Sequence, residues 1–220
     1  MADKVSIKSP IQVRRDEEKE ERRQQILDAA ERVVAKRGWE AMNFGEVAKL
    51  ARLSRSLVYF YFPERDDLFH AVCERGLGNL ERRFKAAIAQ HRAGLDQVMA
   101  IGQAYHEFSQ AEPLYFQLLS QFQSREFDPE GQGAPEEAAH DHGRACLGLV
   151  AQTLATGLAD GSIRKTTGNP GASAVAIWAF THGLIQIASQ KEAMLKENFK
   201  LSAKQAMEHG FMLLRGALAA

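Results

Sequence analysis

Apolar residues recur along this chain every three to four positions, and no stretch alternates with the two-residue period of a strand. The spacing predicts a helix from about Asp16 to Arg37, with Gly38 as a left-handed C-cap. It also predicts a long helix that begins near Arg65 and keeps its period to Gly94. We therefore predict an all-α fold, in which a small three-helix unit precedes a larger helical bundle.

Two short helices with a tight corner between them are predicted for residues 43–62. Asn43 and Ser54 are suited to cap them, because their side-chain oxygens accept hydrogen bonds from free backbone N–H groups. The helices need neighbours, since isolated helices below about 12–15 residues are marginal in water. The exposed face carries a cation and three hydroxyl groups, which suit phosphate and base-edge contacts, on Arg55, Ser56, Tyr59 and Tyr61.

The rest of the chain, from Leu95 to Ala220, also follows a helical pattern. Helices are predicted at about 95–110, from Pro113, at about 135–159, at 172–189 behind Asn169 and Pro170, and at about 202–219. Prolines and glycines predict a loop at residues 125–137. Residues 172–189 are apolar nearly all round, so we expect this helix to be buried on several sides.

Residues 1–15 are polar and lack periodicity, which predicts a flexible basic arm. Two interpretations stay open: the arm has no role, or its cations reach DNA phosphates or a minor groove, namely Lys4, Lys8, Arg14 and Arg15. The predicted organisation is thus an arm at 1–15, a three-helix unit at 16–65 and a larger helical domain at 66–220.

Acidic and basic residues balance at 28 each, so a nucleic-acid role has to rest on a local patch. Such a patch coincides with the two short helices, where the cations outnumber the one acid: Lys49, Arg52, Arg55 and Arg65 against Glu64. The charge balance therefore does not exclude nucleic-acid binding, and it indicates where the binding surface would lie.

The two cysteines, Cys73 and Cys146, lie far apart in apolar helical contexts, which suits reduced core residues better than a disulfide. The N-terminus lacks the apolar segment of a leader, and no apolar run approaches the ~18 residues that a membrane span needs. We therefore expect a soluble, cytoplasmic protein without a membrane partner.

Several segments near the N-terminus share one pattern: Arg22 to Ala30, Lys36-Arg37-Gly38, Ala48, Leu53-Ser54, Val58 to Phe62, and Asp67-Leu68-Phe69. On these residues the chain resembles the TetR family of bacterial transcription regulators. A weaker likeness to one group of these regulators lies in Trp178, His182 and Gly183. The resemblance implies a helix-turn-helix at 43–62, whose second helix enters the major groove of double-stranded DNA.

The resemblance also implies which residues contact DNA. Arg55 and Ser56 stand where side chains reach base edges, and the full predicted set is Asn43, Phe44, Gly45, Arg55, Ser56, Leu57, Tyr59, Tyr61 and Arg65. Two residues depart from the family pattern. Arg52 replaces the usual corner glycine, so it either adopts a left-handed turn at a cost or sits in a differently built corner. Leu57 replaces a small polar residue and either contacts a thymine methyl or belongs to the core.

The C-terminal domain interleaves aromatic and polar residues, which predicts either ordinary core packing or, as a set, a pocket for an aromatic or amphipathic molecule. The predicted lining is Gln103, Tyr105, His106, Phe108, Tyr115, Phe122, Trp178 and His182. His140 and His142 are two residues apart and would point to different sides of a helix. We therefore predict no metal site and no cofactor.

These expectations favour a homodimeric repressor that leaves a palindromic operator when a small apolar or amphipathic effector binds. The dimer is expected to form through the last two helices and to place two recognition helices about 34–36 Å apart or slightly more. The alternative is a helical small-molecule-binding protein or an enzyme without a DNA-binding role. We predict no enzyme, because the chain lacks a phosphate-binding glycine loop, an H-E-x-x-H motif and a nucleophile elbow.

Overall fold

The structure is a computed structural model that describes residues 9–124 and 133–220, and these residues form helices without a β-strand. The predicted all-α class is confirmed. The helices are α1 (Pro10–Arg37), α2 (Phe44–Ala51), α3 (Arg55–Tyr61), α4 (Arg65–Ile88), α5 (Gly94–Ala111), α6 (Pro113–Gln123), α7 (Ala134–Asp160), α8 (Pro170–Gln190), α9 (Glu192–Phe199) and α10 (Ala203–Leu218).

The chain divides into two compact units, Met1–Val72 and Cys73–Ala220. The first unit holds α1, α2 and α3 with the start of α4, and the second holds the rest of α4 with α5 to α10. Helix α4 is therefore a continuous element of both units. The division falls inside that helix, beyond the boundary at residue 65 that the sequence predicts.

The first unit packs around an apolar core that includes Ile26, Leu27, Val47, Val58, Phe62 and Leu68. Trp39, after α1, meets Phe69 of α4 edge to face, with ring centroids 5.0 Å apart. The Gln25 side chain on α1 donates to the carbonyl of Ala51 at 2.8 Å, which ties α1 to the end of α2. The predicted support of two marginal helices by α1 is thus provided by core packing and by this hydrogen bond.

Helix α1 begins at Pro10, and the prediction of a start at about Asp16 is wrong. Ser9 forms a capping box with Gln12: the Ser9 hydroxyl accepts from the Gln12 backbone, and the Gln12 side chain accepts from Ser9 N–H. With Pro10 at the first helical position, local capping starts the helix before any apolar residue is buried. Residues 1–8 of the predicted arm lie outside the described residues.

Three further features differ from the prediction: the conformation of Gly38, the end of α4 and the presence of α9. Gly38 ends α1 with φ 77° and ψ 165°, which lies outside the left-handed helical region. Helix α4 stops at Ile88 rather than continuing to Gly94, which instead opens α5. Helix α9 is not among the predicted elements, because it lacks the side-chain N-cap that marks the equally short α2 and α3. Of the predicted loop at 125–137, residues 125–132 lie outside the described residues and α7 begins at Ala134.

The second unit packs α7 against α5 and α8, and α10 against α8 and α5. Gly94 at the start of α5 lies against Gly157 of α7, so closely that a Cβ built on Gly94 overlaps the Gly157 backbone. The Gly94 N–H donates to the Asp160 carboxylate at 2.8 Å, which holds this close approach in place. The Ile163–Ala219 bridge pairs the chain after α7 with the end of α10.

Helix α8 corrects two predictions. It is long and apolar enough, by length and composition alone, to cross a membrane, although the sequence was expected to contain no such segment. A core helix of a soluble protein meets the same criterion, so composition assigns α8 to neither environment. The helix is also less buried within one chain than predicted, because Val175, Phe180 and Ile187 are exposed. An apolar surface of this kind indicates that something covers it.

Candidate nucleic-acid interface and ligand cavity

The corner between α2 and α3 is built by two side-chain caps and one left-handed residue. Asn43 Oδ1 accepts from the backbone of Glu46 at 3.0 Å, and Ser54 Oγ accepts from the backbone of Leu57 at 3.2 Å. Both predicted caps are confirmed. Arg52 takes φ 56° and ψ 39°, so the first of the two predicted alternatives applies: the corner keeps its left-handed turn without glycine.

Replacing Arg52 with glycine is expected to raise the free energy of unfolding by about 0.5–1 kcal/mol. A side chain at a left-handed residue costs about 1–2 kcal/mol, part of which is offset because glycine loosens the unfolded chain. Urea unfolding followed by circular dichroism measures the change. The matched control is Arg32→Gly on the exposed side of α1, where the same exchange should cost about 1 kcal/mol. A lower free energy of unfolding in Arg52→Gly would contradict the conclusion that the left-handed backbone at Arg52 is strained.

The outer face of α3 presents the predicted polar group as one surface. Arg55, Ser56 and Tyr59 are exposed, and the Arg55 guanidinium lies 3.3 Å from the Tyr59 hydroxyl with its carbon 5.6 Å from the ring centroid. The Tyr59 ring in turn packs edge to face on Phe44 of α2, with centroids 4.8 Å apart. This stack holds a cation and a hydroxyl outward from a short helix. The Ser56 hydroxyl lies 3.0 Å from that of Ser54.

The other predicted DNA-contact residues have more restricted positions. Phe44 is only 6 % exposed, so its side chain belongs to the core, and only its backbone N–H at the start of α2 remains for a contact. Leu57 and Tyr61 are half-buried, and Gly45 stands in the first turn of α2. Arg65 is exposed, but its guanidinium donates to the carbonyl of Trp39 and lies 5.3 Å from the Trp39 ring centroid.

Phe60 belongs to this surface, although the sequence did not single it out. Its side chain is 72 % exposed, and its ring centroid lies 5.5 Å from that of Tyr61. Phe60 follows Ser56 by four residues on the same helix, so it adds an exposed aromatic ring to this face. The helical period places Phe60 on the side of α3 opposite to the buried Val58 and Phe62. This spacing is the sequence signal for the exposure of Phe60.

A cavity of about 310 Å³ lies inside the second unit, between α4, α5, α6, α7 and α8. Its wall is mainly apolar and includes Leu77, Leu80, Phe84, Ile101, Leu147 and Ile177. Of the eight predicted lining residues, the structure brings Tyr105, Phe122 and Trp178 to this cavity. Most of the wall was missed because an apolar side chain that faces a cavity has the same spacing as one that faces a neighbouring helix.

The other five predicted lining residues do not reach this cavity. Gln103 and His106 line a separate open groove with residues of α8 and α10. Phe108 is fully buried in the core, and Tyr115 packs against Gly76 of α4. His182 lies behind the wall, where its Nδ1 and the Tyr105 hydroxyl are 2.7 Å apart.

Burial shifts the pKa values of the polar groups in and behind the cavity wall. Burial lowers the pKa of His182 and raises that of Tyr105, so both are neutral near pH 7. Burial also raises the pKa of the Cys146 thiol to about 12, which makes a reactive thiolate rare. Cys73 and Cys146 are both buried thiols, as predicted. The wall thus offers a ligand an apolar body with few hydrogen-bonding groups.

Arg144 is the exception in this wall, and it is not among the predicted site residues. It follows His140 by one turn on α7 and shares a stripe with the apolar residues at the cavity; the stripe comprises His140, Gly143, Arg144, Leu147 and Val150. The position of a cation within an apolar helical stripe is the sequence signal that could have identified Arg144. Its guanidinium pairs with Asp141, and both side chains are largely exposed.

Comparison with known proteins covers both units. Residues 26–72 match the family model described as bacterial regulatory proteins, tetR family, and residues 98–210 match the tetracyclin repressor-like C-terminal domain. A curated relative is the HTH-type transcriptional regulator AcrR of Shigella flexneri, which is 36% identical over 73 residues, or 32% of this chain and 34% of that protein. The chain spans about a third to a half of the length of the curated relatives it matches.

Solved structures share the fold over most of the chain at low identity. The regulator FadR from Bacillus subtilis, solved in complex with stearoyl-CoA, matches 88% of this chain and 98% of its own, with a TM-score of 0.68 and 15% identity. A transcriptional regulator from Saccharomonospora viridis, solved in complex with choline, matches 92% and 99%, with a TM-score of 0.68 and 16% identity. At these identities the likeness establishes the fold alone.

Proposed function

This chain belongs to the TetR family of bacterial regulatory proteins, and from that premise we propose that it is a sequence-specific DNA-binding regulator that responds to a small molecule. The observation that carries the proposal is the exposed face of α3. A capped corner holds Arg55, Ser56 and Tyr59 outward on a helix inside the segment that matches the family. An arginine on such a helix suits bidentate recognition of guanine in the major groove.

A second copy of the chain is the proposed partner for the exposed apolar residues of α8 and α10. These are Val175, Phe180 and Ile187 on α8, and Met212 and Leu213 on α10, each at least 40 % exposed in the single chain. The two helices also pack on each other, so their exposed residues belong to neighbouring elements of one unit. A homodimer through α8 and α10 would present two α3 helices to a palindromic operator.

The cavity of the second unit is the proposed effector site. Leu77, Leu80 and Phe84 of α4 line it, so an effector inside contacts the same helix that begins in the first unit. The ligands named for FadR of Bacillus subtilis and for the Saccharomonospora viridis regulator support a small-molecule effector in this fold. The effector shifts the equilibrium between two states by its difference in affinity for them, typically by a few kcal/mol. We propose release from the operator, hence repression, in the cytoplasm.

An electrophoretic mobility shift with the DNA that flanks the gene tests the function. We expect a shift selective over shuffled DNA of the same composition, with two chains per site by sedimentation. Affinity should fall steeply between about 50 and 200 mM salt, because phosphate contacts release counterions. No selective, salt-sensitive shift at micromolar dimer would contradict the proposal. It would favour the alternative, a helical small-molecule-binding protein or an enzyme, neither of which has a use for the exposed face of α3.

A further inference from the structure

The cavity is small for a binding site of its kind. Its volume of about 310 Å³ lies at the lower end of the range for ligand pockets. A cavity of this size suits a single ring with a short chain better than a long acyl chain.

The charges in the wall have one sign. Arg144 lines the cavity, whereas none of the described residues that line it is an aspartate or a glutamate. A cationic ligand would lose its hydration next to a like charge without gaining a carboxylate partner. The rings of Phe84, Tyr105 and Trp178 offer cation–π contacts, but these are weak beside the cost of an unpaired buried charge. The wall therefore favours neutral or anionic ligands.

Arg144 is placed to receive an anion at the edge of the cavity. Its side chain is 61 % exposed and its ion partner Asp141 is 62 % exposed, and such surface pairs contribute little to stability. The guanidinium can therefore exchange Asp141 for a ligand carboxylate at low cost, and a charge-assisted hydrogen bond to a carboxylate is stronger than one to a neutral hydroxyl.

From size and charge together, and resting on the proposed function of this cavity as the effector site, we propose that it selects aromatic or short apolar acids. The apolar body lies against Phe84, Trp178 and Leu147, and the carboxylate lies at Arg144. Neutral alcohols of the same shape bind more weakly, and amines of the same shape are rejected.

A matched set of three probes tests the charge preference by isothermal titration calorimetry on the full chain without DNA. The probes are 3-phenylpropanoic acid, 3-phenylpropan-1-ol and 3-phenylpropylamine, with stearic acid as a size control. We expect the acid to bind at least tenfold more tightly than the amine, the alcohol to fall between them, and stearic acid not to bind. Tightest binding by the amine or by stearic acid, or no binding by any phenylpropyl probe at millimolar concentration, would overturn the proposal.

Two variants at the ion pair test the role of Arg144. Arg144→Gln should bring the affinities of acid and alcohol within about twofold of each other, because it removes the charge that separates them. Asp141→Asn, which frees the guanidinium, should keep or raise the affinity for the acid. An unchanged acid preference in Arg144→Gln would overturn the assignment.

Two glycines of α7 provide a matched test of the position. A Cβ built on Gly143 or on Gly148 meets no atom within 4 Å, so a side chain fits at either, but only Gly143 lines the cavity. Gly143→Leu should weaken acid binding at least tenfold, whereas Gly148→Leu should leave acid binding unchanged; both variants should melt at or above the temperature of the wild type, because leucine is the better helix former. Equal effects of the two variants would overturn the proposed position.

The ligand-binding experiments on the cavity are independent of the DNA-binding test. If acid, alcohol and amine do not bind in the predicted order but the selective mobility shift with DNA is observed, the proposed regulator function stands and the proposed ligand class is wrong. If the acid binds with the predicted order while no DNA shift occurs, the cavity assignment stands and the regulatory role falls.

Discussion

Gly94→Ala is expected to lower the free energy of unfolding by more than about 3 kcal/mol. The added methyl group would overlap the backbone N and Cα of Gly157 on α7, and would lie 2.6 Å from the carbonyl oxygen of Thr153. Helix α5 cannot move away freely, because the Gly94 N–H is bonded to Asp160. Urea unfolding followed by helical circular dichroism measures the loss.

The control for this prediction is Gly148→Ala, on the exposed side of α7. A Cβ there meets no atom within 4 Å, and alanine is the better helix former, so stability should rise by about 0.5–1 kcal/mol. A Gly94→Ala protein within about 1 kcal/mol of the wild type would show that α5 and α7 separate easily. The close approach of the two glycines would then not define the packing of the second unit.

Arg55→Ala is expected to cost about 1–3 kcal/mol on a selected operator and to relax the sequence preference at one base pair. Arg55 is exposed on α3 and its guanidinium rests on Tyr59, so the free protein already holds the cation outward. Electrophoretic titration on the operator and on shuffled DNA measures both effects. An equal loss of affinity for operator and shuffled DNA would show that Arg55 contacts phosphate and does not read a base.

Arg65→Ala is the contrasting variant, because a backbone contact should weaken binding to all sequences and lower the salt slope by about one. Its guanidinium also donates to the Trp39 carbonyl and stacks on the Trp39 ring, so part of any effect passes through the first unit's stability. A thermal melt of the variant separates the two contributions. A melting temperature equal to that of the wild type assigns the loss to DNA.

Features that depend on local chemistry were predictable from the sequence. Asn43 and Ser54 cap the helices they were expected to cap, and Asn169 with Pro170 opens α8 as predicted. In each case a side-chain oxygen bonds a backbone N–H three residues on, so neighbours in sequence suffice. Ser9 follows the same rule but is not among the predicted caps, because only Ile11 and Val13 follow it before the polar residues 14–25, and these are too few to indicate a buried helix.

Features that depend on packing between helices were not predictable. The spacing of Phe108 and of Tyr105 is alike, yet one is core and the other lines the cavity, because the difference is set by what α8 and α7 bring opposite them. The exposure of apolar residues on α8 was not predictable for a related reason. An apolar helix has the same sequence pattern whether it is buried by its own chain or by another chain. Periodicity indicates which faces are apolar and not what covers them.

The positions of the two tryptophans have a spectroscopic consequence. Trp39 is buried in the first unit beneath the Arg65 guanidinium, and Trp178 lines the cavity of the second unit, and the chain has no other tryptophan. Each unit thus contains one indole fluorophore of its own. Removing either one with phenylalanine leaves emission from a single known site, so events at the DNA-binding unit and at the cavity can be followed separately without an attached label.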